Sequence, residues 1–319
     1  MAMKPKRFSL SGDSVFKWIL ASASLFIILI VGLMVVVMAI QSWPVFQHFG
    51  LQFIYGTEWQ PAEDIAQPPT FAALPFIYGT VVSSLIALII AVPLGLGTAI
   101  FLNELAPQFL RTPISFLIEL LAAIPSVVYG LWALFYLVPF LYDHIMPFLA
   151  DTLGFIPLFQ RPIIGFSMFS AGVILAIMII PFITAVSREV LAAVPNSQRE
   201  AALALSATKW EMIRKAVVHY GRSGIVGAVM LGWGRALGET MAVTMVIGNS
   251  HFIKTSLFQP GYTMASVIAN EIREATYPLY VEALIAVGLL LFLVTFIVNG
   301  LARLLIIRMS KVSLGGLNE

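Results

Sequence analysis

Six long apolar stretches limit most strongly what this chain can fold into. A transmembrane helix needs about 20 consecutive, mostly apolar residues. Six segments meet that requirement: 18–40, 74–102, 114–141, 163–186, 223–250 and 281–302. Of the 319 residues, 60% are hydrophobic and only 11% are charged, whereas soluble domains carry about 25% charged residues. We therefore predict an all-α polytopic membrane protein with six transmembrane helices.

The distribution of basic residues predicts the orientation of these spans. Cytoplasmic loops are enriched in Lys and Arg. Counting alternate loops places 14 such residues on the side of the N-terminus, three on the other side, and Arg235 within a span. We expect cytoplasmic tails over 1–17 and 308–319, with one membrane domain over 18–307. The first span is longer than a signal-peptide core of about 15 residues, and no A-x-A cleavage pattern ends it directly before Gln41, so an uncleaved anchor is expected.

Composition also excludes several classes of function. A formal net charge of +2 is too small to indicate nucleic-acid binding. The chain has no Cys, and its four His are scattered, so no disulfide or metal site is predicted. The sequence contains no Gly-Lys dipeptide, so the P-loop pattern GxxxxGK[ST] is absent. We therefore predict no cofactor bound by this chain itself; if ATP drives it, ATP and Mg²⁺ are bound by a separate ATPase.

The predicted cytoplasmic loop over 188–222 contains signals for two short helices. Capping boxes begin at Ser197, with Glu200 three residues later, and at Thr208, with Glu211 three residues later. In a capping box the hydroxyl and the carboxylate each accept a hydrogen bond from the other residue's backbone amide. The loop is therefore predicted as two capped helices with a break between them. The alternative is a basic loop held by anionic lipid headgroups.

This loop resembles the EAA loop of ATP-binding-cassette (ABC) importer permeases. The family pattern places a glycine four residues after EAA, and this chain has Ser206 there. Serine could permit the break, with a stiffer backbone than glycine. The resemblance implies that an ATPase docks on a set of loop residues: Glu200, Ala201, Ala202, Ser206 and Thr208.

A more specific resemblance lies in residues 232–243, Gly-Trp-Gly-Arg-Ala-Leu-Gly-Glu-Thr-Met-Ala-Val. This segment resembles the GRALGETMAV segment of phosphate-specific transport (Pst) permeases of the PstC type. Segments 77–80, 103–107 and 119–130 are similar to the same family. The resemblance implies a type I (MetI-like) importer fold and import of inorganic phosphate across a bacterial inner membrane. The implied partners are a PstA-like second permease, a PstB-like ATPase dimer and a PstS-like periplasmic phosphate-binding protein.

Arg235 and Glu239 are the charged residues within the fifth predicted span. They are four residues apart, so a continuous helix would place them on one face. Ionisable side chains are costly in lipid, so these two are expected to face protein or a pathway. One interpretation is a structural ion pair. The other is a translocation path, in which the guanidinium of Arg235 binds two phosphate oxygens and Thr240 and Thr244 add hydroxyls.

In the path interpretation, Glu239 has two hypothetical roles. It neutralises Arg235 when the path is empty, or it accepts a hydrogen bond from a protonated phosphate oxygen, which sulfate lacks.

Other residues carry structural expectations. Gly224, Ala228 and Gly232 are spaced to let a neighbouring helix approach closely. Glu119 is expected near a helix N-terminus, where the helix dipole stabilises a carboxylate. Acidic residues in the predicted external loops, including Glu271, are expected to be solvated.

Two alternative functions stay open. A secondary transporter could couple ions to substrate through Arg235 and Glu239, although the paired broken helices and internal repeats of such proteins are not visible. Within the ABC class, sulfate or molybdate is the alternative substrate. A membrane enzyme would need a polar catalytic cluster, and the His, Asp and Glu residues are too dispersed for one.

Overall fold

The computed structural model describes residues 12–61 and 68–315. Predictions for the tail residues 1–11 and 316–319 lie outside the described residues. Helices account for nearly all regular structure in the described chain, which confirms the all-α class. The helices are α1 (Gly12–Phe49), α2 (Gln52–Tyr55), α3 (Leu74–Ile100), α4 (Gln108–Ala123), α5 (Ser126–Trp132), α6 (Val138–Phe140), α7 (Met146–Leu153), α8 (Met168–Ala192), α9 (Asn196–Ala204), α10 (Lys209–Met212), α11 (His219–Leu237), α12 (Met241–Val246), α13 (Met264–Glu271) and α14 (Pro278–Gly315).

Short helical segments of different pitch join several of these helices. A 3₁₀ turn covers Pro157–Phe159. The π-helical turns are Phe101–Leu105, Ala133–Leu137, Leu141–Ile145 and Ile213–Val218. They continue neighbouring helices without a break, so α5, α6 and α7 form one rod and α10 runs directly into α11.

Five helical stretches of the described chain are long and apolar enough to cross a membrane. They are Ser14–Phe49, Leu74–Leu105, Ser126–Leu153, Met168–Ala192 and Pro278–Arg308. The remaining predicted span, 223–250, is divided between α11 and α12. The count of six membrane crossings, and the cytoplasmic location of both termini, stay predictions.

The predicted bounds of the third span, 114–141, are wrong. Pro125 adopts an extended conformation (φ −59°, ψ 141°) between α4 and α5. Proline lacks a backbone N–H and disfavours the helical conformation of the preceding residue, so a helix usually ends there. The apolar run is therefore split, and the rod continues beyond the predicted end to Leu153.

Helices α3 and α8 form the centre of the bundle, and close contact between them depends on glycine. A Cβ at Gly172 of α8 would lie 2.5 Å from the Cβ of Ile86 on α3. The Thr184 hydroxyl of α8 donates to the carbonyl of Gly95 on α3, at 3.2 Å. Glycine permits such approach between membrane helices because no side chain separates the backbones.

The bundle has two polar ends. The end that carries α9 and α10 is called the loop end, and the other, which carries α2 and α13, the opposite end. An apolar cluster lies beneath each one: Leu191, Val194 and Ile213 belong to the first, and Phe53 and Phe76 to the second. At the side of the bundle, α1 packs along α14.

Candidate functional site

The charged segment of the fifth predicted span lies at a helix break. Helix α11 ends at Leu237, and α12 begins at Met241. The interpretation that Arg235 and Glu239 lie on one face of a continuous helix is therefore wrong. Glu239 is instead the second residue before α12, and its Oε1 accepts a weak hydrogen bond from the Ala242 amide at 3.5 Å.

Arg235 is held by an aromatic ring rather than by a carboxylate. Its guanidinium carbon lies 4.2 Å from the centroid of the Phe182 ring on α8. A cation over an aromatic face is attracted by the ring's quadrupole. In the described part of the chain no ion pair joins Arg235 to Glu239. Arg235 is also exposed on the surface of the single chain, so its donors are open to a ligand or a partner.

The two threonines of the predicted path are present at the break, with their hydroxyls bonded to the backbone. Thr240 Oγ1 donates to the Gly238 carbonyl at 3.3 Å, and Thr244 Oγ1 donates to the Thr240 carbonyl at 2.7 Å. A hydroxyl that donates in this way keeps its acceptor lone pairs. Both side chains are partly buried, and they follow Arg235 in sequence by five and nine residues.

The small residues of α11 form the predicted helix contact. A Cβ at Gly224 would lie 2.6 Å from Val190, and a Cβ at Gly232 would lie 2.8 Å from Ile183, both on α8. Ala228 is buried on the same helix. This contact brings α11 against α8 and thus explains how Arg235 reaches the ring of Phe182.

Ser206 marks the predicted break of the coupling loop, and its conformation supports that prediction. Helix α9 ends at Ala204, α10 begins at Lys209, and Ser206 between them has φ of 64°. This is the left-handed region, which glycine adopts readily and other residues rarely. The position assigned to glycine by the family pattern thus has the conformation that glycine favours.

The two predicted capping boxes have different outcomes. The box at Thr208 is confirmed, since Thr208 Oγ1 accepts from the Glu211 amide and Glu211 Oε2 accepts from the Thr208 amide at 3.0 Å. The box at Ser197 is wrong: α9 begins at Asn196, its cap position is Pro195, two residues before Ser197, and no side chain caps it. Proline's fixed φ starts the helix there, so Ser197 already has helical geometry and cannot serve as the cap.

The predicted second short helix does not end within the loop. Residues of α10 continue through the π-helical turn Ile213–Val218 into α11. A displacement of the loop at Thr208 would therefore act directly on the helix that carries Arg235.

A groove opens between α9 and the start of α10, with a volume of about 520 Å³. Ala201, Ala202 and Ser206 line it, while Glu200 is exposed nearby. Leu205 is 85% exposed beside it. The groove is of mixed polarity, because Gln198, Glu211 and Lys215 also line it, and Leu205 offers an apolar side chain to a partner.

The carboxylate of Glu211 borders this groove and is strongly stabilised in its charged form. The backbone hydrogen bond from Thr208 lowers the pKa of Glu211 to about 2, with a smaller contribution from Lys215. A carboxylate that accepts amide hydrogen bonds favours ionisation in this way. The cap of α10 is therefore charged throughout the physiological range.

Glu119 does not lie near a helix N-terminus, contrary to expectation. It is in the second half of α4 (Gln108–Ala123) and accepts from Arg188 of α8 at 3.3 Å, with 61% of its side chain exposed. The helix begins at Gln108, 11 residues before Glu119, so the dipole argument does not apply. Glu119 instead contributes to the contact between α4 and α8.

The expectation that Glu271 is solvated is wrong. Glu271 is 6% exposed at the opposite end. Its Oε2 accepts from Trp59 Nε1 at 2.9 Å and from the Tyr280 hydroxyl at 2.7 Å. Its Oε1 lies 2.7 Å from His251 Nε2. These four residues, called the Glu271 cluster, join segments from three parts of the chain.

Sequence reasoning missed the partners of both charged groups. Phe182 is one of many aromatics in an apolar span, and nothing in its spacing from Arg235 indicates contact. The sequence carries only a weak indication of the Glu271 cluster. Trp59 and His251 lie in predicted loops and have ring nitrogens that can form hydrogen bonds. Neither pattern fixes which loop residues meet.

Comparison with known proteins gives consistent matches along most of the chain. Residues 91–311 match the family model "Binding-protein-dependent transport system inner membrane component". A Xylella fastidiosa protein named phosphate transport system permease protein PstC is 47% identical over 303 residues, covering 94% of this chain and 92% of the relative. A protein of the same name from Mesorhizobium japonicum is 44% identical over 307 residues, covering 95% and 92%.

Solved structures share the fold at low sequence identity. A chain of the MetNI methionine ABC transporter in an inward-facing conformation has a TM-score of 0.51 and 16% identity, covering 74% of this chain and 94% of its own. A chain of a bacterial ABC transporter that imports the polysaccharide alginate has a TM-score of 0.50 and 17% identity, covering 91% and 98%. These matches confirm the predicted type I importer permease fold.

Proposed function

Because this chain belongs to the family of binding-protein-dependent transport system inner membrane components, and within it to the PstC phosphate transport permeases, we propose that it forms half of the path for inorganic phosphate in an ATP-driven importer. The observation that carries this proposal is 44–47% identity to PstC proteins over nearly the whole chain. As an inner membrane component of a transporter it is a permease subunit rather than an enzyme.

The other half of the path would come from a second, PstA-like permease. In the single chain, Arg235 is exposed although it lies between long apolar helices. A charge is costly in lipid, so this surface requires a polar or protein neighbour. A second permease would supply it and enclose the path around Arg235.

Phosphate recognition at this site would rest on the guanidinium of Arg235. The planar fork of arginine matches two oxygens of a phosphate at once, and a charge-assisted hydrogen bond is about twice as strong as a neutral one. Since Phe182 holds the guanidinium without neutralising it, its full charge is available to the anion. Thr240, Thr244 and Glu239 would contact the remaining oxygens, with Glu239 accepting from a protonated one.

Energy would come from a PstB-like ATPase dimer that binds ATP and Mg²⁺ and contacts the groove between α9 and α10. The alanines that line the groove and the exposed Leu205 support this assignment. The groove would face the cytoplasm, in agreement with the predicted membrane orientation. A PstS-like binding protein would deliver phosphate to the opposite end.

The proposed substrate is tested by uptake of labelled phosphate into proteoliposomes that contain the assembled transporter, its binding protein and internal ATP. We expect ATP-dependent phosphate uptake that excess sulfate or molybdate does not compete away. Uptake of either of those anions in preference to phosphate would contradict the substrate. Uptake without ATP, driven by an ion gradient, would contradict the mechanism and support a secondary transporter.

The docking groove is tested separately by Ala201→Asp. Ala201 lines the groove, and a carboxylate there would be desolvated when an ATPase docks. We expect loss of substrate-stimulated ATPase activity with normal membrane insertion. Ala204→Asp is the matched control, because Ala204 is exposed on the same helix outside the groove. Equal stimulation in both variants would favour the alternative that the loop only binds lipid headgroups.

A further inference from the structure

A buried ion pair attaches α9 to the end of a membrane helix. Arg199 of α9 donates from Nη2 to Glu104 Oε1 at 2.9 Å, and from Nε to both carboxylate oxygens at 3.3 and 3.4 Å. Glu104 lies in the π-helical turn that continues α3. Its side chain is 6% exposed, and that of Arg199 is 17% exposed. The carboxylate of Glu104 is therefore buried and the side chain of Arg199 is partly buried, although α9 itself is at the surface.

The same guanidinium also attaches α9 to the end of α8. Arg199 Nη2 donates to the Leu191 carbonyl at 2.9 Å, and Nη1 donates to the Val194 carbonyl at 2.5 Å. The last carbonyls of a helix have no amide partner four residues later; that of Leu191 accepts from the Val194 amide at 3.3 Å as well as from Arg199. One side chain thus binds the ends of both central helices, α3 and α8. Arg199, Glu104, Leu191 and Val194 are called the Arg199 junction.

Other attachments of α9 are weak. No residue of Asn196–Ala204 is buried, and only Ala202 packs, partly buried, against the apolar cluster beneath. The helix is preceded by Pro195 in an extended conformation and followed by Ser206 in the left-handed region. Without a firm contact, α9 could move at these two ends without moving the bundle.

We propose that Arg199 is the positioning residue for energy coupling: through the Arg199 junction it makes α9 move together with the ends of α3 and α8. The inference rests on the proposed function, in which an ATPase displaces α9. A shift at the docking groove then reaches two membrane helices at once, while α10 transmits the same shift to α11. The carboxylate of Glu104 neutralises the charge of Arg199. The Asn103 side-chain amide orients this carboxylate by donating to Glu104 Oε1 at 2.6 Å.

Arginine is required at this position because of its geometry. Its rigid fork donates to Glu104 and to two backbone carbonyls simultaneously, whereas a lysine ammonium on a flexible stem has only three donors at a single point. Arg199→Lys therefore retains the charge but loses the simultaneous contact with α3 and α8. Glu104→Asp retains the carboxylate but moves it back by one methylene.

The functional test uses the complete transporter in proteoliposomes. For Arg199→Lys and Glu104→Asp we expect normal assembly with the ATPase, near-normal basal ATPase activity, and stimulation by the phosphate-loaded binding protein reduced by about fivefold or more, the usual lower size of an allosteric coupling. Arg188→Lys is the matched control, since Arg188 pairs with an exposed carboxylate of α4. Unchanged stimulation in the two junction variants would overturn the inference.

A distance measurement tests the inference even where a variant assembles poorly. This chain has no cysteine, so spin labels at Ser197→Cys on α9 and Leu105→Cys beside Glu104 report one distance within it, with partner subunits used in cysteine-free form. We expect the same narrow distance distribution in the nucleotide-free and ATP-bound complexes, and a broader or shifted one with Arg199→Lys. A distance that changes between the two states of the labelled parent would overturn the inference. Failure of the labelled parent to transport phosphate would instead contradict the proposed function. The two results can be distinguished because the distance is measured without any substrate.

Discussion

Two charged regions of this molecule differ in how completely their polar groups are bonded. In the Glu271 cluster, a nearly buried carboxylate is contacted by three side chains, Trp59, His251 and Tyr280. At the break between α11 and α12, Arg235 rests on the ring of Phe182 and has no carboxylate partner within the described residues. The first region is complete within the chain, whereas the second retains unused donors.

This difference separates a structural role from a binding role. A buried polar network whose members are all bonded makes one conformation rigid. A charged group that is positioned but not neutralised can bind a ligand without first breaking an ion pair. We therefore propose that the Glu271 cluster serves stability and Arg235 serves transport, and the following substitutions test that division.

The largest effect on stability is expected for Glu271→Ala. It leaves the donors of Trp59 and Tyr280 without their acceptor, and each such buried group costs about 1–3 kcal/mol. We expect much less inserted protein but normal phosphate uptake per inserted molecule. Glu274→Ala, at an exposed acid on the same segment, is the control and should change neither quantity. If Glu271→Ala, but not Glu274→Ala, reduced phosphate uptake per inserted molecule, a purely structural role of the Glu271 cluster would be contradicted.

The largest effect on transport at constant protein level is expected for Arg235→Lys. The charge is retained, but bidentate contact with phosphate is lost. Since a hydrogen bond to a charged group contributes about 1.5–3 kcal/mol, uptake should fall by about tenfold to a hundredfold. Uptake is measured per inserted molecule, with Arg188→Lys as the control. Normal uptake by Arg235→Lys would show that the fork is not used.

A smaller effect is expected for Phe182→Leu, which removes the ring beneath the guanidinium. Cation–π contacts contribute about 0.5–2 kcal/mol, so uptake should fall by about twofold to thirtyfold through poorer positioning of Arg235. The protein level should not change. Phe26→Leu, at an exposed ring on α1, provides the comparison. A variant that loses protein but not uptake per molecule would assign Phe182 to packing.

The smallest effect concerns Glu211, a carboxylate that is well bonded but exposed to solvent. Hydrogen bonds hold its pKa at about 2 in the folded chain, below the ordinary value of 4.5. Its stabilising contribution is therefore complete above about pH 4.5 and is lost as the pH falls towards 2. Carboxyl ¹³C NMR of labelled glutamate should show a midpoint near pH 2, which Thr208→Ala raises. A midpoint near 4.5 in the parent would contradict the capping geometry.

The apolar runs predicted most of the fold because the length of a span is imposed by the bilayer. The runs did not show where a helix is interrupted inside an apolar segment. For this reason the predicted bounds of the span around Pro125 were wrong. The prediction that Glu239 shares a helix face with Arg235 was wrong for the same reason. The break at Gly238–Thr240 was not predicted, since glycine in membrane helices is equally consistent with close packing. Gly232, for example, does pack closely against Ile183 of α8.

Site residues were predictable where a local pattern determines them. The Thr208 cap and the break at Ser206 depend on residues within a few positions of each other, and both agree with the structure. The contacts of Arg235 with Phe182 and of Arg199 with Glu104 join residues distant in sequence. Such contacts depend on how helices pack against each other, and no residue spacing in a single sequence predicts that packing.

The central claim, that Arg235 acts in transport rather than in folding, is tested most directly by the double variant Arg235→Gln with Glu239→Leu. Both charges are removed, so neither is left unpaired within the membrane. We predict a level of inserted protein close to that of the parent and phosphate uptake at background. Uptake that recovers in proportion to inserted protein would contradict the claim and assign both charged residues to folding instead.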